Sequence, residues 1–176
     1  VEGLNRFDGY SFKPYFHSET DSTSISSNRI QALILDQDGK LIIGSTNGLN
    51  LYNEITNSFS KIPLITKKGD FSNTTINDLK RDAKGNIWVS SNRGLIILDK
   101  NKNIIKHYTQ GFLQGEIIGH LLIDKDQNVW IGEPKVISKL NVKTGKLTVY
   151  PITERFKIDR DPPVNTIIQD SKGRIW

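Results

Sequence analysis

The sequence predicts an all-β fold: a β-propeller of four-stranded antiparallel blades. Three observations carry that reading. The first is repetition. LDQDGKLIIGSTNGLNLYN (35–53) returns as RDAKGNIWVSSNRGLIILDK (81–100), as IDKDQNVWIGEPKVISKLN (123–141) and, cut short, as QDSKGRIW (169–176). The second is the period. Asp36, Asp82, Asp124 and Asp170 are equivalent and lie about 46, 42 and 46 residues apart, within the range of four-stranded propeller blades. The third is texture. Short apolar runs alternate with turn residues, and no stretch carries a 3.6-residue apolar period.

The elements follow in order. Gly3 to Asp8 matches Gly48 to Asn53 and Gly94 to Asp99, so it reads as the third strand of a blade, with Tyr10 to Phe16 as its outer strand. Residues 1–16 are therefore a partial blade. HSETDSTSISSN (17–28) is Ser/Thr-rich without apolar period, a loop signal. Blade 30–62 is complete: Ile30 to Asp36, Lys40 to Ser45, Gly48 to Asn53 and Ser58 to Ile62. Blade 76–108 repeats it at Ile76 to Asp82, Asn86 to Ser91, Gly94 to Asp99 and Asn103 to Tyr108. Blade 118–150 has Ile118 to Asp124, Asn128 to Gly132, Val136 to Asn141 and Lys146 to Tyr150. A last partial blade, 164–176, begins at Val164. The short repeat step falls between Tyr108 and Ile118, a connection four residues shorter than its counterparts. Length changes belong in surface loops, because strand backbone must stay paired.

The turns have a mechanism. Asp36-Gln37-Asp38-Gly39, Asp82-Ala83-Lys84-Gly85 and Asp170-Ser171-Lys172-Gly173 place Asp first and Gly fourth. Asp accepts from backbone N–H groups, and Gly takes the left-handed conformation that closes the hairpin. The copy at Asp124 has Gln127 in place of Gly. A side chain in that conformation costs roughly 1 kcal/mol, so a remodelled turn is expected there.

Trp88, Trp130 and Trp176 share one slot, which Ile42 fills in the second blade. Phe12, Phe59, Ile105 and Leu147 share another, and Tyr15, Ile62, Tyr108 and Tyr150 a third. One large apolar group per blade suits face-to-face sheet packing, where each indole buries about 200 Å2. This is preferred to a sugar-stacking role for the tryptophans, since Ile substitutes at the same slot.

At 176 residues the chain can bury one core. It has no cysteine, so disulfides and thiolate metal sites are excluded. It lacks methionine and starts on Val1, so it is expected to be a piece of a longer protein. The formal charge of +5 is scattered as single Lys and Arg residues. That argues for a solvated surface, and no nucleic-acid partner is expected for this segment.

The pattern N-x-I-x-x-x-x-x-D-x-x-G-x-φ-W-φ-G-T-x-x-G-L-x-x-Y-D, where φ is apolar, is best matched by NRIQALILDQDGKLIIGSTNGLNLYN (28–53), with Ile42 in place of Trp. It resembles the propeller repeat of bacterial two-component regulators. The opening GLNRFDGYSFKPYFH (3–17) is similar to the first blade of the hybrid two-component sensor histidine kinases of Bacteroidetes. The resemblance covers nearly the whole chain. It implies an incomplete arc, three full and two partial blades, of a seven-bladed ring. It further implies a periplasmic ectodomain of an inner-membrane receptor, a second propeller, and a homodimer in the full-length receptor. The kinase and DNA-binding domains would lie outside this chain. Such receptors sense oligosaccharides and control polysaccharide-utilisation genes.

Candidate chemistry is sparse. His17, His107 and His120 are isolated, without paired-ligand spacing, and read as structural. No nucleophile elbow, phosphate loop or zinc pattern occurs. Asp159-Arg160-Asp161 before Pro162-Pro163 reads as a stiffened loop rather than a cation site. No catalytic residue, metal or cofactor is expected. By analogy between propellers, ligands meet the loops joining second and third strands. That places candidate ligand contacts at Asn47, Asn92, Arg93, Glu133 and Lys135, with the interblade connections (Ser27-Asn28, Asn73-Thr74, Glu116, Asp161) beside them. Asn suits sugar hydroxyls, and Arg93 and Lys135 suit a carboxylate or sulfate. The rival readings are an enzyme of the streptogramin-lyase type, which is also a propeller, and a scaffold that only docks other domains.

Overall fold

The computed structural model describes residues 2–109, 111–113, 119–152 and 164–176. Among these every regular element is a β-strand. Compactness divides the chain into two units, Val1–Ile76 and Asn77–Trp176.

The first unit opens with a two-stranded antiparallel sheet, β1 (Leu4–Phe7) and β2 (Phe12–Tyr15). A four-stranded sheet follows: β3 (Ile30–Leu35), β4 (Leu41–Ser45), β5 (Gly48–Asn53) and β6 (Ser58–Ile62). It is an up-and-down meander in sequence order. A short hairpin, β7 (Ile65–Thr66) with β8 (Gly69–Asp70), closes the unit. The second unit carries two more meanders. One is β9 (Ile76–Arg81), β10 (Ile87–Ser91), β11 (Gly94–Leu98) and β12 (Ile104–Tyr108). The other is β13 (Leu121–Ile123), β14 (Val129–Glu133), β15 (Val136–Leu140) and β16 (Leu147–Pro151). Each four-stranded meander is a propeller blade. The terminal stretch keeps one ladder contact, Gln169 with Ile175.

Register fixes which side chains face inward, because the side-chain period of a strand is two. Leu4 pairs with Tyr15, Leu49 with Ile62, Leu95 with Tyr108 and Ile137 with Tyr150. The repeated Tyr/Ile slot therefore meets the same partner position in these four sheets. The Phe12 slot holds in three copies and slips in one. A bulge between Ile97 and Leu98 sets Leu98 opposite Ile104 and leaves Ile105 56% exposed.

Each unit has its own core. In the first, Leu4, Tyr15, Ile25, Ile43 and Phe59 pack together, joined by Ile30, Leu41 and Tyr52. The Tyr15 ring meets Tyr52 and Phe59 edge-on, with centroids 5.7 and 5.3 Å apart. Burial and the hydrogen bond to Tyr52 push the Tyr15 phenol up to about 12. In the second, Trp88, Leu95, Ile97 and Tyr108 of one blade pack on Leu121, Val129, Ile131 and Leu140 of the next.

The β-hairpin joining first and second strands is built alike four times. One carboxylate oxygen of the leading Asp accepts two backbone N–H groups: Asp38 and Lys40 onto Asp36, Lys84 and Asn86 onto Asp82, Asp126 and Asn128 onto Asp124, Lys172 and Arg174 onto Asp170. The other oxygen reaches into the next strand. It accepts the indole N–H of Trp88 (3.1 Å), Trp130 (2.9 Å) or Trp176 (3.0 Å). The tryptophans thus do more than fill space. Each ties a strand to its own turn, which Ile42 has no N–H to do.

The expectation of a remodelled turn at Gln127 is corrected. Gln127 keeps the glycine conformation, with φ 63°, and its N–H still donates to the Asp124 carbonyl at 2.9 Å. The reason is compensation. The Gln127 side-chain oxygen accepts the Ala83 backbone N–H at 3.0 Å, a contact that glycine cannot make. A hydrogen bond worth about 1 kcal/mol offsets a backbone strain of similar size.

Candidate functional site

An up-and-down sheet presents two edges. One carries the hairpins between first and second and between third and fourth strands. The other carries the hairpins between second and third strands and the connections between blades. The sequence-based site lies on the second edge.

In the first unit that edge forms a cleft of about 340 Å3. Its wall is the loop His17–Ser26, and its floor comes from Asn47, Asn50 and Lys61. Every lining side chain is polar. The loop is held in place by its own hydrogen bonds. The His17 N–H donates to the Asn28 side chain at 2.7 Å, and the His17 ring meets the Ile25 carbonyl at 2.8 Å. The Asp21 carboxylate accepts the Thr23 hydroxyl and N–H, which hold it below the usual carboxylate range. Ile25, wholly buried, plugs the loop into the core of this unit. The floor is equally tied. The Asn47 amide donates to the Ser26 carbonyl at 3.1 Å, and the buried Asn50 accepts the Ser26 N–H at 2.8 Å. Lys61 donates to the Asn73 side chain. Desolvation lowers the Lys61 pKa, and the Asp70 carboxylate works against that shift. The cleft thus combines preset hydroxyls and amides with one ammonium and the exposed carboxylates Glu19 and Asp21.

The other sequence-based candidates lie in the second unit. Asn92 and Arg93 are exposed at the β10–β11 hairpin. The Arg93 N–H donates to the Ser91 hydroxyl, and its carbonyl meets the His107 ring at 2.9 Å. Lys135 is exposed with φ 69°, following Pro134. Glu133 is only 1% exposed and accepts the Ser138 hydroxyl, so it serves the packing of its hairpin. Of the five candidates, Asn47 lines the polar cleft. Sequence reasoning missed Asn50, Lys61 and the loop residues around them. The available signal was the density of hydroxyls in HSETDSTSISSN, which reads equally as an ordinary loop. Glu116, Asp161 and the Asp159-Arg160-Asp161 motif lie outside the described residues.

The histidines are engaged locally. His17 and His107 meet backbone carbonyls, and the His120 ring lies 3.7 Å from the Asp78 carboxylate. Asp78 also accepts the Leu121 N–H at 2.8 Å, so it orders the start of β13.

Comparison with known proteins agrees with this architecture. Residues 70–93 match the two-component regulator propeller family. No curated protein matches the chain. Among solved structures, one similar chain is the extracellular domain assigned to a hybrid two-component system of B. thetaiotaomicron. It has 22% identity and a TM-score of 0.82, and the match covers 99% of this chain and 25% of that one. A second such domain from the same organism gives 19% identity and a TM-score of 0.65, covering 99% and 29%. Virginiamycin B lyase from Staphylococcus aureus gives 15% identity and a TM-score of 0.66, covering 92% and 51%. At these identities the likeness is one of fold, and the chain spans about a quarter of the length of the first two.

Proposed function

We propose that this chain is a ligand-sensing segment of the extracytoplasmic domain of a hybrid two-component sensor histidine kinase. Its blades then continue into further blades of one propeller, with a second propeller and a dimer partner completing a periplasmic receptor. The repeat match at 70–93 and the similarity to two extracellular sensor domains support that placement. The ligand we infer is an oligosaccharide, and its binding would control polysaccharide-utilisation genes.

One observation carries the ligand reading: the cleft of about 340 Å3 lined only by polar side chains and walled by a self-braced loop. Sugars present dense hydroxyls and little apolar surface. They are recognised by fixed amides and hydroxyls, which lose little entropy on binding. Signalling requires only that the ligand favour one receptor arrangement over another, and its differential affinity sets the size of the response. The lyase-like reading is weaker, since His17, His107 and His120 lie at non-equivalent positions of the repeat, and the first two rings meet backbone carbonyls.

The test is a thermal-shift screen of the receptor ectodomain against neutral and anionic oligosaccharides. A hit whose shift is lost in Asn47→Ala supports a sensor with its site in this cleft. Shifts retained in Asn47→Ala and Lys61→Ala would move the site elsewhere. No shift across the panel, from a folded protein, would favour a docking scaffold.

A further inference from the structure

A second cavity, of about 360 Å3, lies in the other unit, between the blades β9–β12 and β13–β16. It opens on the opposite edge from the candidate contacts discussed above, beside the hairpins 82–85 and 141–145. Its chemistry is also opposite. Trp88, Ile97, Tyr108 and Val129 form a buried base, and Ile123 adds to it. Ile105 and Val142 stand in the mouth, 56% and 41% exposed. Around them are the ammonium groups of Lys84, Lys106 and Lys143. Lys106 lies over the Tyr108 ring, 4.6 Å from its centroid.

The charge at this mouth is net positive, three ammonium groups against one carboxylate. Among the described residues, none of the three lysines has a carboxylate partner. Among the described residues Asp82 is the one acid lining the cavity, and its oxygens accept the backbone N–H groups of Lys84 and Asn86 and the side-chain N–H groups of Asn86 and Trp88. One end is closed by the Ala83–Gln127 hydrogen bond.

The repeat does not demand this lining. In the first unit the equivalent positions to Ile97 and Val142 are Arg6 and Glu54, and the cleft there sets Asp38 and Glu54 beside Arg6 and Lys40, over Leu41, Leu51, Tyr52 and Ile55. The Arg6 guanidinium there donates to the Tyr52 hydroxyl at 3.1 Å. Apolar side chains line both clefts; Asp38 and Glu54 balance the cations in the first unit, whereas three lysines face one carboxylate, Asp82, in the second.

We propose that this groove binds a small anionic amphiphile, with an aromatic or medium-chain aliphatic body against Ile105, Ile123 and Val142, over the buried Trp88–Val129 base, and a carboxylate or sulfonate at the lysine rim. The volume falls in the range of small-molecule sites. Burial of the apolar body supplies affinity, and the unpaired ammonium groups select the anion.

The experiment is calorimetric titration of the full chain with octanoate and with naphthalene-2-sulfonate. Saturable one-to-one binding is expected, with octan-1-ol at least tenfold weaker than octanoate. Val142→Glu places in the mouth the charge that Glu54 carries in the first unit. It sits at an exposed position and should fold normally, with binding reduced tenfold or more. Lys84→Gln combined with Lys143→Gln should weaken the anions and leave octan-1-ol unchanged. Lys67→Ala, at an exposed position that lines neither cavity, should change nothing. Absence of saturable binding, or equal binding by Val142→Glu, would overturn the proposal. Equal affinity for octan-1-ol would overturn the anion selectivity. Self-association abolished by Val142→Glu would assign the groove to a second copy of the chain instead.

Discussion

Replacing Trp88 by Phe tests the tie between strand and turn. Trp88 is 1% exposed, and its indole N–H donates to the Asp82 carboxylate at 3.1 Å. Phe keeps an aromatic ring in the sheet interface and removes the donor. A hydrogen bond to a charged group is worth about 1.5–3 kcal/mol. The missing ring leaves a gap worth about another 1 kcal/mol. The expected loss is about 3 kcal/mol. For a chain of this size each kcal/mol lowers the melting temperature by about 2–4 °C, so a drop of about 6–12 °C should appear in a circular-dichroism melt. Trp176→Phe is the internal control. Trp176 makes the same bond but is 64% exposed, so its effect should be much smaller. A cycle with Asp82→Asn should show coupling of at least about 1 kcal/mol between the two positions. Equal melting of Trp88→Phe and Trp176→Phe, or no coupling to Asp82, would refute the tie.

Three further outcomes are expected. Gly94→Ala should destabilise by more than about 3 kcal/mol in urea unfolding, because φ is +114° and a Cβ would lie 2.2 Å from the Tyr108 carbonyl oxygen. Gln127→Gly should be neutral to within about 0.5 kcal/mol by the same assay, since relief of backbone strain offsets loss of the Ala83 bond. Acid should weaken the fold through Asp124 and Asp170. The Trp176 indole and the Arg174 side chain hold Asp170 at about 2. Burial pushes Asp124 up, but hydrogen bonds from Asn128 and Trp130 outweigh it and leave it lowered. Depressed carboxylates contribute stability above about pH 4, and that contribution is lost as pH falls toward about 2. Urea midpoints should therefore hold from pH 7 to 5 and fall between 4 and 2, less steeply in Asp124→Asn.

The blades were legible because a repeat is read several times over. Register agreement at Leu4–Tyr15, Leu49–Ile62, Leu95–Tyr108 and Ile137–Tyr150 follows from a pattern that each copy confirms. Departures were legible as positions and not as consequences. Gln127 stood out as a missing glycine, but its compensating partner, Ala83, lies 44 residues away, a contact that only the fold creates. The constant six-residue step from Asp to Trp was visible in three copies, yet its meaning as a hydrogen bond needed coordinates. The site was less legible still. Asn47 and Lys61 share a cleft with the loop His17–Ser26 through packing within the unit, and nothing in their spacing announces it. Glu133 stands at a loop joining second and third strands, where position alone suggests a ligand contact, but the hairpin turns its carboxylate onto Ser138.

The most direct measurement is calorimetric titration of the ectodomain with the oligosaccharide that shifts its melting temperature most, in wild type and in Asn47→Ala. One-to-one binding that weakens at least tenfold in Asn47→Ala, with the free protein still folded and destabilised by no more than about 1 kcal/mol, the worth of the lost bond to Ser26, is the expected result. Undiminished affinity in Asn47→Ala and in Lys61→Ala would contradict a saccharide site in the polar cleft.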